Sequence, residues 1–336
     1  MSTYIIAEAG VNHNGDLQLA KELIYEASKA GADAVKFQSF RANHLASPDS
    51  IKANYQQNSN LDETQNKMLS RLELTTNQHY ELANHCNDHG ISFLSTAFGI
   101  PELNMLVTLG VGIIKVASGE ITNLPLLIAM ASCAKKHKMP IYMSTGMTNL
   151  GEIESAFNIF LEAGINRNSI TLLHCVSSYP APEIELNLHA IQTLRHSFGC
   201  SIGYSDHSLG IIAPIAAVVL GATVIEKHIT LNTRMEGPDH ASSLNPKEFS
   251  EMVTSIRKCE KMLGDGFKVT QPSEQDTKYV ARRSVRAAEF IKKNSVLTED
   301  NLICQRPADG LSPMLIQKII GTKAIRDFNA GELISY

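Results

Sequence analysis

Eight short runs rich in β-branched and aromatic residues punctuate the chain between residues 4 and 228: 4–8 (YIIAE), 34–38 (AVKFQ), 91–96 (ISFLST), 113–118 (IIKVAS), 140–145 (PIYMST), 170–175 (ITLLHC), 200–205 (CSIGYS) and 223–228 (TVIEKH). The spacers between them are too long for hairpins and carry helical spacing. Leu19, Leu23, Ala27 and Ala30 mark one helix, with Gly31 as its stop; further helical stretches lie near 77–89, 123–137, 150–163, 186–197, 210–220 and 246–263. Connections of this length and kind are what parallel strands require. Eight such units over roughly 260 residues predict a closed α/β structure, a (β/α)8 TIM barrel. The rival is an open doubly wound sheet, which usually carries a G-x-G-x-x-G turn after its first strand; that turn is absent.

Two segments fall outside the repeat. Residues 41–75, rich in Asn, Gln and Ser, form an insertion after the second strand; barrel topology places it over the catalytic face, where it is either a lid or a surface decoration. After Leu263 the composition turns polar, and GDGFKVTQPSEQDTKY reads as a linker. Beyond it, AAEFIKKNSVLTEDNL (287–302) is echoed by KAIRDFNAGELIS (323–335), which suggests a small β-rich module. The expected domains are a barrel at 1–264, a linker at 265–281 and the module at 282–336.

Composition narrows the function. With 43% apolar and 19% charged residues the chain can bury a large core. A net charge of −4 argues against nucleic-acid or membrane-surface binding, and no apolar run approaches the length of a membrane span. MSTYIIAEAG has no basic n-region or long apolar h-region, and the six cysteines lie far apart without a C-x-x-C pair. A cytoplasmic protein with reduced thiols is expected.

Nearly every predicted strand ends in groups capable of chemistry: Glu8, Lys36 with Gln38, Ser95 with Thr96, Lys115 through Glu120, Ser144 with Thr145, His174, Ser205-Asp206-His207, and Glu226 with His228. In a barrel these ends converge on one site. Lysines in a buried parallel strand are costly unless partnered, so Lys36 and Lys115 with the nearby hydroxyls describe a pocket for a small phosphate-bearing acid. A Schiff-base aldolase is the competing reading, but it needs one desolvated lysine rather than two. His207 and His228 end neighbouring strands; with the carboxylates of Glu8 and Asp206 they could hold a divalent ion with open positions. His79, His85 and His89 share a helix and read as surface or helix-end residues.

IIAEAGVNHNG (5–15), GADAVKFQ (31–38), FLSTAF (93–98), KVASGE (115–120), MSTGM (143–147), HCVSSYPAP (174–182), GYSDHS (203–208), VIEKHIT (224–230) and GPDHASSL (237–244) occur in this order. The set resembles the sialic acid synthase family of phosphoenolpyruvate-dependent nonulosonic acid synthases. QRPADG (305–310) and IRDFNAGELI (325–334) resemble its C-terminal antifreeze-like (SAF, β-clip) domain. Within that family, AEAGVNHNGDLQLAK, SGEITNLP and MTNLGEIE are most similar to the bacterial N,N'-diacetyllegionaminic acid synthases.

The resemblance implies a transferase joining phosphoenolpyruvate to the open-chain aldehyde of a 2-acetamido mannose-type sugar with a divalent ion, Mn2+ or Mg2+. Carried over by motif, His207 and His228 are metal ligands, and Glu8 orients a metal-bound water or the aldehyde. Lys36, Thr96, Lys115, Ser118 and Ser144 line the phosphoenolpyruvate site. Glu120, Tyr179, Asp239 and Arg306 lie near the sugar, with Gln38 and Ser205 in support. Glu8 and Glu120 are the candidate general bases. The family works as a domain-swapped homodimer, so Arg306 would come from the partner subunit. The expected sugar is 2,4-diacetamido-2,4,6-trideoxymannose, with N-acetylmannosamine the alternative. Family members making N-acetylneuraminic acid tend to carry Asn where this chain has Ser177, a shorter residue that would leave room for a bulkier substituent. A phosphosugar-condensing synthase and a non-enzymatic carbohydrate-binding protein are the remaining readings; the first lacks the C-terminal module, and the second has no need of buried lysines.

Overall fold

The structure is a computed structural model describing residues 2–53, 55–56 and 63–335. It divides into two compact units, Met1–Gly264 and Asp265–Tyr336.

In the first unit the strands are β1 (Tyr4–Gly10), β2 (Ala34–Ser39), β3 (Ser92–Ala97), β4 (Ile114–Val116), β5 (Ile141–Ser144), β6 (Ile170–His174), β7 (Ser201–Asp206) and β8 (Val224–His228). All are parallel, in the order β3-β2-β1-β8-β7-β6-β5-β4. The return of β8 to β1 curls the sheet into a nearly closed (β/α)8 barrel. Among the described residues no hydrogen-bonded ladder joins β3 to β4, and β4 is shorter than the apolar run 113–118 suggested.

The connecting helices are α1 (Leu17–Lys29), α2 (Ala42–Leu45), α3 (Gln65–Ser70), α4 (Thr76–Asp88), α5 (Ile100–Leu109), α6 (Leu124–His137), α7 (Leu150–Glu162), α8 (Ala190–Phe198), α9 (Ile212–Val219) and α10 (Pro246–Leu263). Their starts are written locally. Asp16, Thr75, Asn149 and Asn245 accept bonds from first-turn amides, and the last three form reciprocal capping boxes. Helix α5 was not anticipated: IPELNMLVTL is apolar nearly throughout and lacks a polar N-cap, so it shows no amphipathic stripe. Pro101 in its first turn and left-handed Gly110 at its end were the available signals.

Period-two alternation sorts the barrel interior into layers. Ile6, Ala34, Leu94, Leu173 and Val224 make an apolar floor. Two residues further along the strands stand Glu8, Lys36, Thr96 and Glu226, so the polar layer rests directly on a dry one. The outward residues of the strands pack against the helices in the main core, which includes Ile5, Val35, Phe37, Ile202 and Ile225.

The second unit contains α11 (Gln275–Ala281), β9 (Ser284–Ala287), β10 (Leu302–Gln305) and α12 (Ile316–Ile319). Helix α11 occupies part of the stretch read as linker. β9 and β10 pair antiparallel, Arg286 bridges Leu333, and the two echoing segments bridge each other at Ile291–Phe328 and Val296–Lys323. Val285, Ile291, Leu297, Leu302, Ile319 and Phe328 form a core of this unit's own.

Candidate active site

A cavity of about 430 Å³ opens at the C-terminal ends of the strands. Its lining includes Glu8, Lys36, Gln38, Thr96, Lys115, Ser118, Glu120, Ser144, Ser177, Tyr179, Ser205, His207 and His228, which brings together nearly all the residues singled out from sequence. Asp239 is buried behind it, its Oδ2 3.9 Å from His228 Nδ1. Arg306 belongs to the second unit.

The charges at the base of the cavity are organised around a residue the site assignment omitted, Glu226. Its carboxylate lies 3.6 Å from Lys36 Nζ and 3.9 Å from Lys115 Nζ, and it accepts a 2.9 Å hydrogen bond from Ser205 Oγ. Lys36 also meets Glu8 at 2.7 Å and donates to Thr96 Oγ1 at 3.0 Å. Lys115 donates to Ser144 Oγ at 2.6 Å and to the Val116 carbonyl at 3.2 Å. The expectation of two cations awaiting an anion therefore needs correction. A buried lysine is too costly to leave bare, and two carboxylates compensate the pair. Glu226 was legible, since it shares the inward face of its strand with His228 two residues on.

These neighbours separate the carboxyl groups. Burial favours the neutral form of both, but Lys115 and Lys36 hold Glu226 down at about 2. For Glu8, burial outweighs Lys36 and the Glu226 charge adds to it, raising the group to about 7. Lys115, with a more distant carboxylate and Lys36 nearby, is lowered by burial; Lys36 is raised because Glu226 and Glu8 overcome its burial. Burial alone raises Asp239 to about 7.

His207 and His228 face each other with ring centroids 5.6 Å apart. His207 Nδ1 lies 2.7 Å from the Val176 carbonyl, to which it donates in the tautomer that leaves Nε2 an acceptor, 3.5 Å from Ser205 Oγ. His228 Nδ1 is buried with no hydrogen-bond partner. Two donor nitrogens so arranged fit a divalent ion completed by water or substrate oxygen. Among the described residues no cluster of three or more His, Cys, Asp or Glu is assembled to hold a metal. Asp206, expected beside the histidines, points to the opposite face of β7, where it pairs with Lys227 at 2.5 Å. The Tyr179 ring covers His207 at 4.2 Å, and Tyr55 lies against Tyr179 at 4.8 Å.

The upper wall comes from the insertion, which contributes Ala53, Tyr55, Gln56, Gln65 and Leu69. Asn54 and residues 57–62 of that insertion lie outside the described residues. On the opposite wall Ser177 abuts Gly146, where any side chain would meet Ser177 Oγ at 2.2 Å and Ser118 Oγ at 2.9 Å. Ser118 Oγ accepts from the Gly146 amide, and Glu120 accepts from Asn123 Nδ2 at 2.6 Å. His79 corrects another expectation. It is buried rather than superficial, tied to Ser39 Oγ at 2.7 Å and to the Thr75 carbonyl at 2.9 Å.

Fold and site together define a (β/α)8-barrel protein with a charge-compensated polar cavity at its C-terminal mouth and a separate SAF unit. The chain belongs to the NeuB family, whose model matches residues 23–268, and a SAF domain matches 282–336. It is 48% identical over 333 residues to the N,N'-diacetyllegionaminic acid synthase of Campylobacter jejuni, covering 99% of this chain and 98% of that protein. It is 44% identical to the Legionella pneumophila protein of the same name, covering 98% and 93% of the two. Among solved structures, the N-acetylneuraminic acid synthetase of Leptospira borgpetersenii matches with a TM-score of 0.72 and 38% identity, covering 82% of this chain and 90% of that one.

Proposed function

We propose that the chain is a transferase condensing phosphoenolpyruvate with 2,4-diacetamido-2,4,6-trideoxymannose, giving N,N'-diacetyllegionaminic acid and phosphate. The observation that carries the chemistry is the pair of buried lysines at the cavity base, facing two carboxylates in a cavity that His207 and the unpartnered Nδ1 of His228 also line. The sugar assignment rests on the near-full-length relatives named for that product. A binding protein for neutral carbohydrate would gain nothing from so costly a set of buried charges.

In this reading, Lys36 and Lys115 take the carboxylate and phosphate of phosphoenolpyruvate, with Thr96, Ser118 and Ser144 supplying hydroxyls. Gln38 and Ser205 support that pocket, Ser205 through Glu226. The C3 carbon bonds to the sugar aldehyde carbon, water adds at C2, and phosphate departs with the bridging oxygen. His207 and His228 would hold Mn2+ or Mg2+, a Lewis acid for the aldehyde oxygen. Glu8, poised near neutrality, can exchange a proton with the attacking water; Glu120 is the second candidate base. Tyr179, Ser177, Asp239 and, from a domain-swapped homodimer partner, the equivalent of Arg306 would surround the sugar. No helix among the described residues is long and apolar enough to cross a membrane, and the six cysteines are free thiols, which supports a cytoplasmic setting.

The test is kcat/KM measured with the diacetamido sugar and with N-acetylmannosamine, products identified by mass spectrometry. Preference for the former is expected; preference for the latter would make the chain an N-acetylneuraminate synthase with the same chemistry.

A further inference from the structure

The outward face of β7 and β8 should be apolar where it meets the helices, yet it carries Asp206 and Lys227, both fully buried. They are register partners in the last rung of the β7–β8 ladder. The next residues along are His207 and His228, beyond the reach of that ladder. Asp206 Oδ1 accepts from Tyr204 Oη at 3.0 Å, from Ser208 Oγ at 2.7 Å and from the Ser208 amide at 3.0 Å. Lys227 Nζ donates to Asp206 Oδ2 and to the Ser208 carbonyl. Residues 206 and 208 are thus clasped to one another from behind, with His207 held between them.

Such a pair is a poor source of stability, because apolar residues of similar volume often serve a fold as well or better. What it provides is geometry. We propose that Asp206 and Lys227 are positioning residues, whose ion pair and side-chain turn fix the backbone of His207 and its spacing from His228. The inference rests on the reading that these two histidines hold the ion.

The variant Asp206→Leu/Lys227→Met removes both charges together. In full-length, chelator-treated protein its thermal midpoint should stay within about 4 °C of wild type. Its affinity for Mn2+ alone, followed by the paramagnetic resonance of the free ion, should fall about 10- to 100-fold. kcat should fall similarly while KM for phosphoenolpyruvate stays level, since Lys36 and Lys115 are untouched. Wild-type Mn2+ affinity and kcat would overturn the inference and leave the pair a packing feature. If the variant does not fold, Tyr204→Phe/Ser208→Ala carries the test. It keeps the ion pair and strips two side-chain bonds from Oδ1; a smaller loss in the same direction is expected, and no change overturns the inference. His228→Ala separates the two readings. If it binds Mn2+ as wild type does, the metal assignment has failed, and positioning is then judged on kcat of the double variant alone.

Discussion

Lys36 and Glu8 stand opposite each other in the β1–β2 ladder, and their charged atoms meet at 2.7 Å in the base of the cavity. An incoming anion must therefore compete with Glu8 for the same ammonium group. Glu8→Gln relieves that competition while removing the proton acceptor. KM for phosphoenolpyruvate is expected to hold or fall, while kcat drops about 10²–10⁴-fold. Lys36→Met should instead raise KM. Steady-state kinetics on the two variants checks the split, and a raised KM in Glu8→Gln would show that the carboxylate helps to bind substrate.

Chelation is expected to abolish turnover, and Mn2+ or Mg2+ to restore it. His228→Ala should lose metal affinity with its circular dichroism unchanged, because the side chain ends a strand above the apolar floor. Full turnover by wild-type enzyme in metal-free buffer would refute the metal assignment.

Deleting 282–336 should leave a folded barrel, since the first unit has its own core, but remove most activity. Mixed dimers of Arg306→Ala and His228→Ala chains should regain part of the wild-type rate by forming one intact composite site. The absence of recovery in verified mixed dimers would mean that each chain completes its own site.

His13 is fully buried, and burial keeps its imidazole neutral down to about pH 4. The unfolded chain protonates it near 6.5, so as pH falls from 6.5 towards 4 the unfolded state gains protons that the folded state refuses, and this residue's share of stability is lost. Glu8 and Asp239, raised to about 7, act oppositely, gaining stability as pH falls through 7. The informative quantity is therefore a difference. His13→Asn preserves the acceptor for the Gly15 amide, and it should lose about 2 kcal/mol less stability than wild type between pH 7 and pH 5. Parallel slopes in denaturant unfolding at the two values would refute this.

Much of the site was legible because barrel strands alternate strictly. Polar residues at 8, 36, 96, 115, 144, 205, 226 and 228 interrupt buried strands, and such interruptions have few explanations other than a shared cavity. Alternation also exposes the misassigned residue: Asp206 lies one position from both Ser205 and His207, so it must face the other way. Helix α5 escaped because its buried face includes Glu102 while Ile100 stands exposed, which blurs the amphipathic stripe. Tyr55 and Gln56 escaped because their cavity-facing position depends on how the insertion packs, which local spacing does not encode. His79 escaped because its partners, Ser39 and Thr75, come from a different strand and from a helix cap.

The missing ladder between β3 and β4 has a mechanical consequence. Lys36 is bonded to Thr96 at the end of β3, and Lys115 to Ser144 on β5, so the lysines belong to opposite lips of the seam. Glu226 reaches both from across the bore. It is a tie strung between the two margins of a split ring. Every other junction of the ring is laced by backbone hydrogen bonds, whereas at this seam a single carboxylate answers the lysines of both margins.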